Sequence, residues 1–217
     1  MEALTVACCN VGDYLGRGKQ YVETLASMCQ RHLPPHEFVC ITESPHAGYW
    51  CKLSLFEPGR FTGNVLYLDL DVVISGDLAH LVSLLDAHDF WILDDFCWPF
   101  SRATLTEMKF SGFAYQAGPQ QLYRQLGGWG TCNSSVMLWR DEAGREIWDR
   151  YSPEAADGLH GDQNWITRVM AQRLRLIPHG WAGSFKLGPY GCPITVMHGD
   201  PKPHELPEHR LIAEHWR

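Results

Sequence analysis

The sequence predicts an α/β fold built around a mostly parallel central sheet. Three observations carry that expectation. Short apolar, strand-like segments alternate with segments of helical period along most of the 217 residues. The first three segments read as a strand, an amphipathic helix and a second strand, which is a βαβ unit. The apolar run Asn64-Val65-Leu66-Tyr67-Leu68-Asp69-Leu70-Asp71-Val72-Val73-Ile74 then carries two carboxylates, and open α/β sheets build their ligand sites at strand ends.

In chain order, the first strand is expected at 5–9 and the first helix at 18–31, where Tyr21, Val22, Leu25 and Met28 recur on one face. A second strand follows at 38–42. The D-x-D run reads as one strand from 64 to 74, after which Asp77 can cap a helix reaching Leu85. Residues 90–93 are strand-like. The stretch 98–130 has no clean period; its aromatics and glycines, among them Trp98, Phe100, Phe110, Phe113, Tyr115 and Trp129, suggest irregular structure beside a site. Beyond it the pattern predicts a strand at 135–138, helices at 142–151 and 162–173, and short strands at 174–177 and 194–197. The tail is rich in Pro and His.

With 45% hydrophobic and 20% charged residues, the chain suits a single globular domain over 1–217 with a continuous core. A net charge of −7 argues against a protein that grips nucleic-acid phosphates and favours a small-molecule ligand with cations recruited locally. The N-terminus lacks a basic, apolar leader, and no run approaches the roughly 20 apolar residues of a membrane span. A cytoplasmic protein is expected. The eight cysteines lie mostly in apolar segments and form no C-x-x-C pair, so they read as reduced core residues rather than a disulfide framework.

Asp69 and Asp71 are the strongest functional signal. Side chains two apart on a strand share a face, and two ionised carboxylates on one face repel unless a proton or a cation lies between them. An oxygen-preferring divalent metal answers that conflict. The plainer reading places one Asp in a turn and the other in solvent. Three weaker constellations also sit at element ends. Cys132-Asn133-Ser134-Ser135 sets an amide and two hydroxyls before an apolar strand, Gly161-Asp162-Gln163 opens a helix where Asp would serve as an N-cap, and His198-Gly199-Asp200-Pro201-Lys202-Pro203 follows a strand.

Taken in order, Lys52-Leu53-Ser54-Leu55-Phe56, Tyr67-Leu68-Asp69-Leu70-Asp71, Asn133-Ser134-Ser135-Val136-Met137, Gly161-Asp162-Gln163 and His198-Gly199 with Lys202-Pro203 resemble glycosyltransferase family 8. That group includes glycogenin and bacterial lipopolysaccharide galactosyltransferases. The resemblance runs along nearly the whole chain, and Asn10 and Tyr14 stand where the family sets residues against the nucleotide base. It implies a GT-A fold, a Rossmann-like nucleotide-sugar-binding domain. It also implies a nucleotide-sugar donor, most often a UDP-sugar, bound with Mn²⁺ (Mg²⁺ being the other candidate), and transfer with retention to a carbohydrate or other hydroxyl acceptor. By the same resemblance Asp69, Asp71 and His198 would ligate the metal and Asp69 would also meet the ribose. Lys52 and Lys202, with Gly199 beside them, would serve the diphosphate or donor-sugar oxygens. Tyr14 would stack on the base, and Asn133, Ser134, Asp162 and Gln163 would face the sugar. Asp162 and Gln163 are the candidates for stabilising an oxocarbenium-like centre; the sequence does not choose between a nucleophile and a front-face route.

The chain departs from the family pattern in three places. His198 and Lys202 are two residues closer than in the usual His-x-x-Gly-x-x-Lys-Pro, and Thr167 replaces an Asn four residues after Gln163. The chain also ends at Arg217 without a basic amphipathic tail, so membrane docking is not expected. Three rival readings exist. A phosphatase of the haloacid dehalogenase type also uses a strand-end D-x-D, with Asp69 as nucleophile and Asp71 as acid/base. A nucleotide-sugar-binding protein without transfer activity is the second rival, and a zinc site of His198, His204, His209 and His215 the third.

Overall fold

The computed structural model of the chain describes residues 3–94, 132–159, 161–178, 180–188 and 191–217. A six-stranded sheet is built, in spatial order, from β2 (Glu37–Ile41), β1 (Leu4–Cys9), β3 (Asn64–Leu68), β6 (Cys132–Arg140), β5 (Phe90–Asp94) and β7 (Arg175–Leu176). β1 is parallel to β2 and β3, β5 is parallel to β7, and β6 runs antiparallel to both its neighbours. The sheet is therefore mostly parallel, as the alternating pattern requires. A second sheet of three strands has the order β4 (Val72–Ile74), β9 (Ile194–Val196), β8 (Ala182–Ser184).

A parallel sheet covered on both faces must be apolar at both parities of its strands, and the sequence has this property. Val6, Cys8, Leu66, Leu68, Val136 and Leu138 point into one buried layer with Tyr21, Leu25 and Met28 of α1 (Gly18–His32). Ala7, Val65, Tyr67, Met137 and Trp139 point into the other, against Ile147 of α3 (Arg145–Asp149), Trp165, Ile166 and Met170 of α4 (Asp162–Met170), and Leu53, Leu55 and Phe56 of a 3₁₀ segment, Gly48–Phe56. The same alternation carries the chain from Tyr67 towards Asp69. Two short helices complete the described chain: α2 (Ala79–Val82), whose first amide donates to Asp77 Oδ1 at 2.8 Å, and α5 (Arg210–His215).

Several elements differ from the sequence expectation. The D-x-D run is not one strand: it breaks after Leu68 into β3 and β4, which belong to different sheets. The helix expected at 142–151 shrinks to α3 because Asp141 and Glu142 are tied elsewhere. Asp141 Oδ1 accepts from the Gly63 amide at 2.7 Å and Glu142 Oε1 from the Gly59 amide at 2.8 Å. The 3₁₀ segment and β8 were not foreseen, and the expected irregular stretch 98–130 lies outside the described residues. No described helix is long and apolar enough to cross a membrane.

Gly144, at the start of α3, lies against the second layer. A Cβ there would stand 2.4 Å from Phe56 Cδ1 and 3.1 Å from Phe90 Cε2, and Phe56 is itself backed by Trp139 at a ring separation of 4.9 Å. Gly144→Ala should lower the free energy of unfolding by about 1–3 kcal/mol through overpacking. Urea denaturation reads this directly; an unchanged midpoint would mean that the Phe56 ring can retreat.

Candidate active site

Asp69, Leu70 and Asp71 form the link between β3 and β4 and so lie at the seam between the two sheets. The Asp69 amide donates to Ser135 O of β6 at 2.9 Å, and the Val72 amide donates back to Asp69 O at 3.3 Å. The two carboxylates therefore leave a turn rather than one face of a strand, and each has its own ammonium. Lys52 Nζ lies 2.8 Å from Asp69 Oδ1, while Lys202 Nζ donates to Asp71 Oδ2. Tyr67 OH donates to Asp69 Oδ1 at 2.6 Å and Tyr14 OH to Asp71 Oδ2 at 2.9 Å.

A third carboxylate joins this network. Lys52 Nζ also lies 3.6 Å from Asp162 Oδ2 and donates to Ser134 Oγ at 3.0 Å, and the Ser134 hydroxyl donates to Asp162 Oδ2 at 2.5 Å. Ser134 can reach inward because β6 bulges opposite β5. Its pairing jumps from Ile92↔Met137 to Leu93↔Asn133, which leaves 134–136 without direct partners on that side. Asp162 is not the cap of α4. Gly161 occupies that position, and the Asp162 carboxylate is turned inward, 5% exposed as a residue.

Burial and pairing compete at each group. For Asp69, burial raises the pKa, but Lys52 and the hydrogen bonds from Tyr67 and Ser135 outweigh it and leave the carboxyl below its ordinary value. Asp71 goes the other way: burial and then the charge of Asp69 raise it, more than Lys202 and Tyr14 lower it. Asp162 is also raised, by burial, with Lys52 and Ser134 offsetting part of the cost. Burial pulls the Lys52 ammonium down, yet Asp162 and Asp69 hold it above its usual range. Desolvation, then Lys186 and Lys202, lower His198.

All twelve residues singled out in the sequence line one cleft of about 470 Å³: Asn10, Tyr14, Lys52, Asp69, Asp71, Asn133, Ser134, Asp162, Gln163, His198, Gly199 and Lys202. That volume is in the range of small-molecule sites. Asn10 Oδ1 accepts from the Tyr14 amide at 2.9 Å, and Asn133 Oδ1 from the Ser135 amide at 2.9 Å, so each side chain shapes the turn it belongs to. His198 Nε2 is 2.7 Å from Ser184 Oγ. Gly199 has φ +64°, and a Cβ on it would stand 2.6 Å from Lys186 Nζ. Tyr67 and Tyr49 of the cleft lining and Ser184, the partner of His198, were missed. Tyr67 was visible as part of the apolar run, but no spacing rule marks a core tyrosine whose hydroxyl meets a carboxylate.

Among the described residues no three His, Cys, Asp or Glu side chains are grouped so as to hold a metal ion by themselves. The expected histidine quartet is dispersed. His204 Nδ1 is 2.6 Å from Tyr21 OH, His209 stacks edge-on against Phe185, and His215 lies beside Glu214. The zinc reading is thereby removed.

No family model and no curated protein matches the sequence. Solved structures do. The glycosyltransferase GlyE of Streptococcus pneumoniae TIGR4 superposes with a TM-score of 0.61 at 14% identity, over 94% of this chain and 56% of that one. The bifunctional glycosyltransferase WbbM gives 0.60 at 12% identity, over 93% of this chain and 47% of that one. The galactosyltransferase LgtC, in complex with donor and acceptor sugar analogues, gives 0.60 at 13% identity, over 98% and 96%. The chain thus spans about half the length of the first two. The fold is the GT-A glycosyltransferase fold, and nothing in these comparisons favours the phosphatase reading.

Lys52 is the shared partner of the buried Asp162 and the partly exposed Asp69, so Lys52→Met should lower stability at pH 7 by about 1–3 kcal/mol, the cost of leaving such a group without its partner. Without the ammonium both carboxyls titrate higher in the folded state. Charging them then opposes folding, and the deficit relative to the parent should shrink as pH falls towards the ordinary carboxyl value of 3.8. Chemical denaturation of both proteins at several pH values measures it; a deficit independent of pH would contradict this electrostatic account.

Proposed function

We propose that this chain is a retaining glycosyltransferase of the family 8 kind, moving a sugar from a UDP-sugar to a carbohydrate or other hydroxyl acceptor. The supporting observation is the convergence of Lys52, Asp69, Asp71, Asp162 and Lys202 in one cleft of a glycosyltransferase fold. A nucleoside diphosphate brings negative charge, and its leaving develops more. Lys202, which now neutralises Asp71, and Lys52 are the cations within reach of such a ligand. Tyr14, on the turn after β1, offers a ring at the cleft wall for the base, and Asn10 fixes that turn.

The chemistry of the donor set fits a divalent cation. Asp69 and Asp71 are hard oxygen donors, and burial and then the charge of Asp69 raise Asp71, the second of these being a conflict that a cation relieves. Mn²⁺ (or Mg²⁺) held by these carboxylates and by phosphate oxygens would neutralise charge on the leaving diphosphate. His198 would join only by turning from Ser184, so the protein supplies few ligands and the nucleotide must supply the rest. Metal and nucleotide should therefore bind together. Calorimetry is expected to show UDP binding weakened by EDTA and restored by Mn²⁺; equal affinity in both conditions would overturn the metal site.

Asp162 is the carboxylate for the reacting sugar. Ser134 and Lys52 hold its orientation, and its charge stabilises oxocarbenium character as the anomeric carbon–oxygen bond to the diphosphate breaks and the bond to the acceptor oxygen forms. Gln163 is its neutral neighbour at the cleft wall. Asp162→Asn keeps the shape and a hydrogen-bond acceptor for Ser134 but removes the charge. Turnover of the UDP-sugar should fall by about 10²-fold or more, as when one preorganised electrostatic group is lost, while UDP affinity is retained and the protein stays folded, Asp69 still pairing with Lys52. An Asn variant as active as the parent would take Asp162 out of the mechanism.

A further inference from the structure

Two of the described cysteines meet inside the same cleft. Cys9 ends β1 and Cys51 lies in the 3₁₀ segment, one residue before Lys52. Both are partly exposed and both line the cleft, and their two side chains lie within interaction range of each other. We propose that Cys9 and Cys51 are an oxidation site, a dithiol that peroxide converts to a disulfide across the floor of the cleft, displacing Lys52 and weakening the binding of a nucleoside diphosphate there. The effect on nucleotide binding rests on the reading proposed above; the covalent chemistry does not.

The contrast with a second thiol pair explains the choice. Cys8 and Cys40 are also neighbours, but they face each other in register on adjacent strands of the parallel sheet, and Cys8 is fully buried. Cys40 is partly exposed, but both residues sit inside the strand ladder, so the pair has little freedom to close to a disulfide. A disulfide needs the sulfurs to close to about 2.05 Å, so one of the two segments must shift. The end of β1 is pinned, since the Asn10 amide donates to Ile41 O at 2.8 Å. The 3₁₀ segment is the freer partner, because 3₁₀ hydrogen bonding is poorer than that of a strand ladder or an α-helix. Movement of Cys51 draws Lys52 from its positions 2.8 Å from Asp69 and 3.6 Å from Asp162.

The chemistry balances with hydrogen peroxide as oxidant. The Cys51 thiolate, favoured by the adjacent Cys9 side chain and by the neighbouring Lys52 ammonium, attacks one peroxide oxygen. The O–O bond breaks, leaving a sulfenic acid and a hydroxide that takes up a proton to become water. The Cys9 sulfur then attacks the sulfenic sulfur, giving up its proton as the S–O bond breaks and a second water leaves. The sulfur pair loses two electrons and peroxide gains them.

The test treats the full chain with hydrogen peroxide, removes the excess, alkylates remaining thiols under denaturing conditions and maps the peptides by mass spectrometry. The expected result is a Cys9–Cys51 cross-linked peptide, two hydrogens lighter than the reduced pair and restored by dithiothreitol. In Cys9→Ser the cross-link is lost and a dimedone-reactive sulfenic acid accumulates on Cys51. If both thiols stay alkylatable, or if either is found linked to a different cysteine, the site is refuted. In parallel, the Kd for UDP with Mn²⁺ is compared before and after peroxide for each protein. The parent should weaken about tenfold or more, equivalent to about 1.4 kcal/mol, and Cys9→Ser should change much less than that. A cross-link with unchanged UDP affinity would overturn the coupling to the cleft. Absence of UDP binding in the reduced parent would instead count against the proposed function, and the cross-link would stand or fall separately.

Discussion

Lys52 reaches across the floor of the cleft to two carboxylates that arrive from distant parts of the chain, Asp69 from the seam between the sheets and Asp162 from the first turn of α4. Asp162 is buried and Asp69 and Lys52 keep only partial access to water, so the two carboxylates and the ammonium each depend on the other for much of their stabilisation. The three-way contact therefore fixes the relation of the 3₁₀ segment, β3 and α4. Ser134 closes it by accepting from Lys52 and donating to Asp162. The cleft has its shape because these four groups must satisfy one another.

The division of the chain into two sheets gives the second half of the site. Because β3 stays in the large sheet and β4 enters the small one, Asp71 faces the segment that follows β9, where Lys202 meets it, while Asp69 remains over the large sheet with Lys52. Three carboxylates thus face two ammonium groups within one pocket. With all of them ionised, an excess of negative charge remains. On the proposed reading, that excess and the raised Asp71 would favour a cation accompanying a diphosphate into this cleft. The shortened spacing from His198 to Lys202 still delivers an ammonium to the carboxylate pair. It leaves His198 against Ser184 instead.

Much of the sheet could be read from the chain because its strands are apolar at both parities and its first helix has a clean stripe. The candidate residues come as a set from the family resemblance, most of them near element ends, and all lie around one cleft. Their partners could not be read. A hydroxyl such as that of Tyr67 or Ser184 carries no positional signature, and the pairing of Lys52 with Asp162 depends on a bulge in β6 that the sequence does not mark. The break between β3 and β4 was hidden for a related reason. Leu68, Leu70, Val72 and Val73 are all buried, so the apolar run continues through the turn and reads as a single strand. Asp162 shows the reverse error: its place at a helix start suggests a cap, whereas the glycine before it takes the cap position and frees the carboxylate for the cleft.

The most direct test of the central claim is to incubate the protein with a panel of nucleotide sugars and Mn²⁺ and follow the reaction by proton NMR. The account predicts that at least one UDP-sugar is turned over to UDP, and that the transferred or released sugar first appears with the anomeric configuration it had in the donor. Simple phosphomonoesters should be untouched. Inversion at the anomeric carbon would contradict the retaining step. Failure to turn over any nucleotide sugar, together with phosphate release from phosphomonoesters, would contradict the assignment of this cleft to a sugar donor.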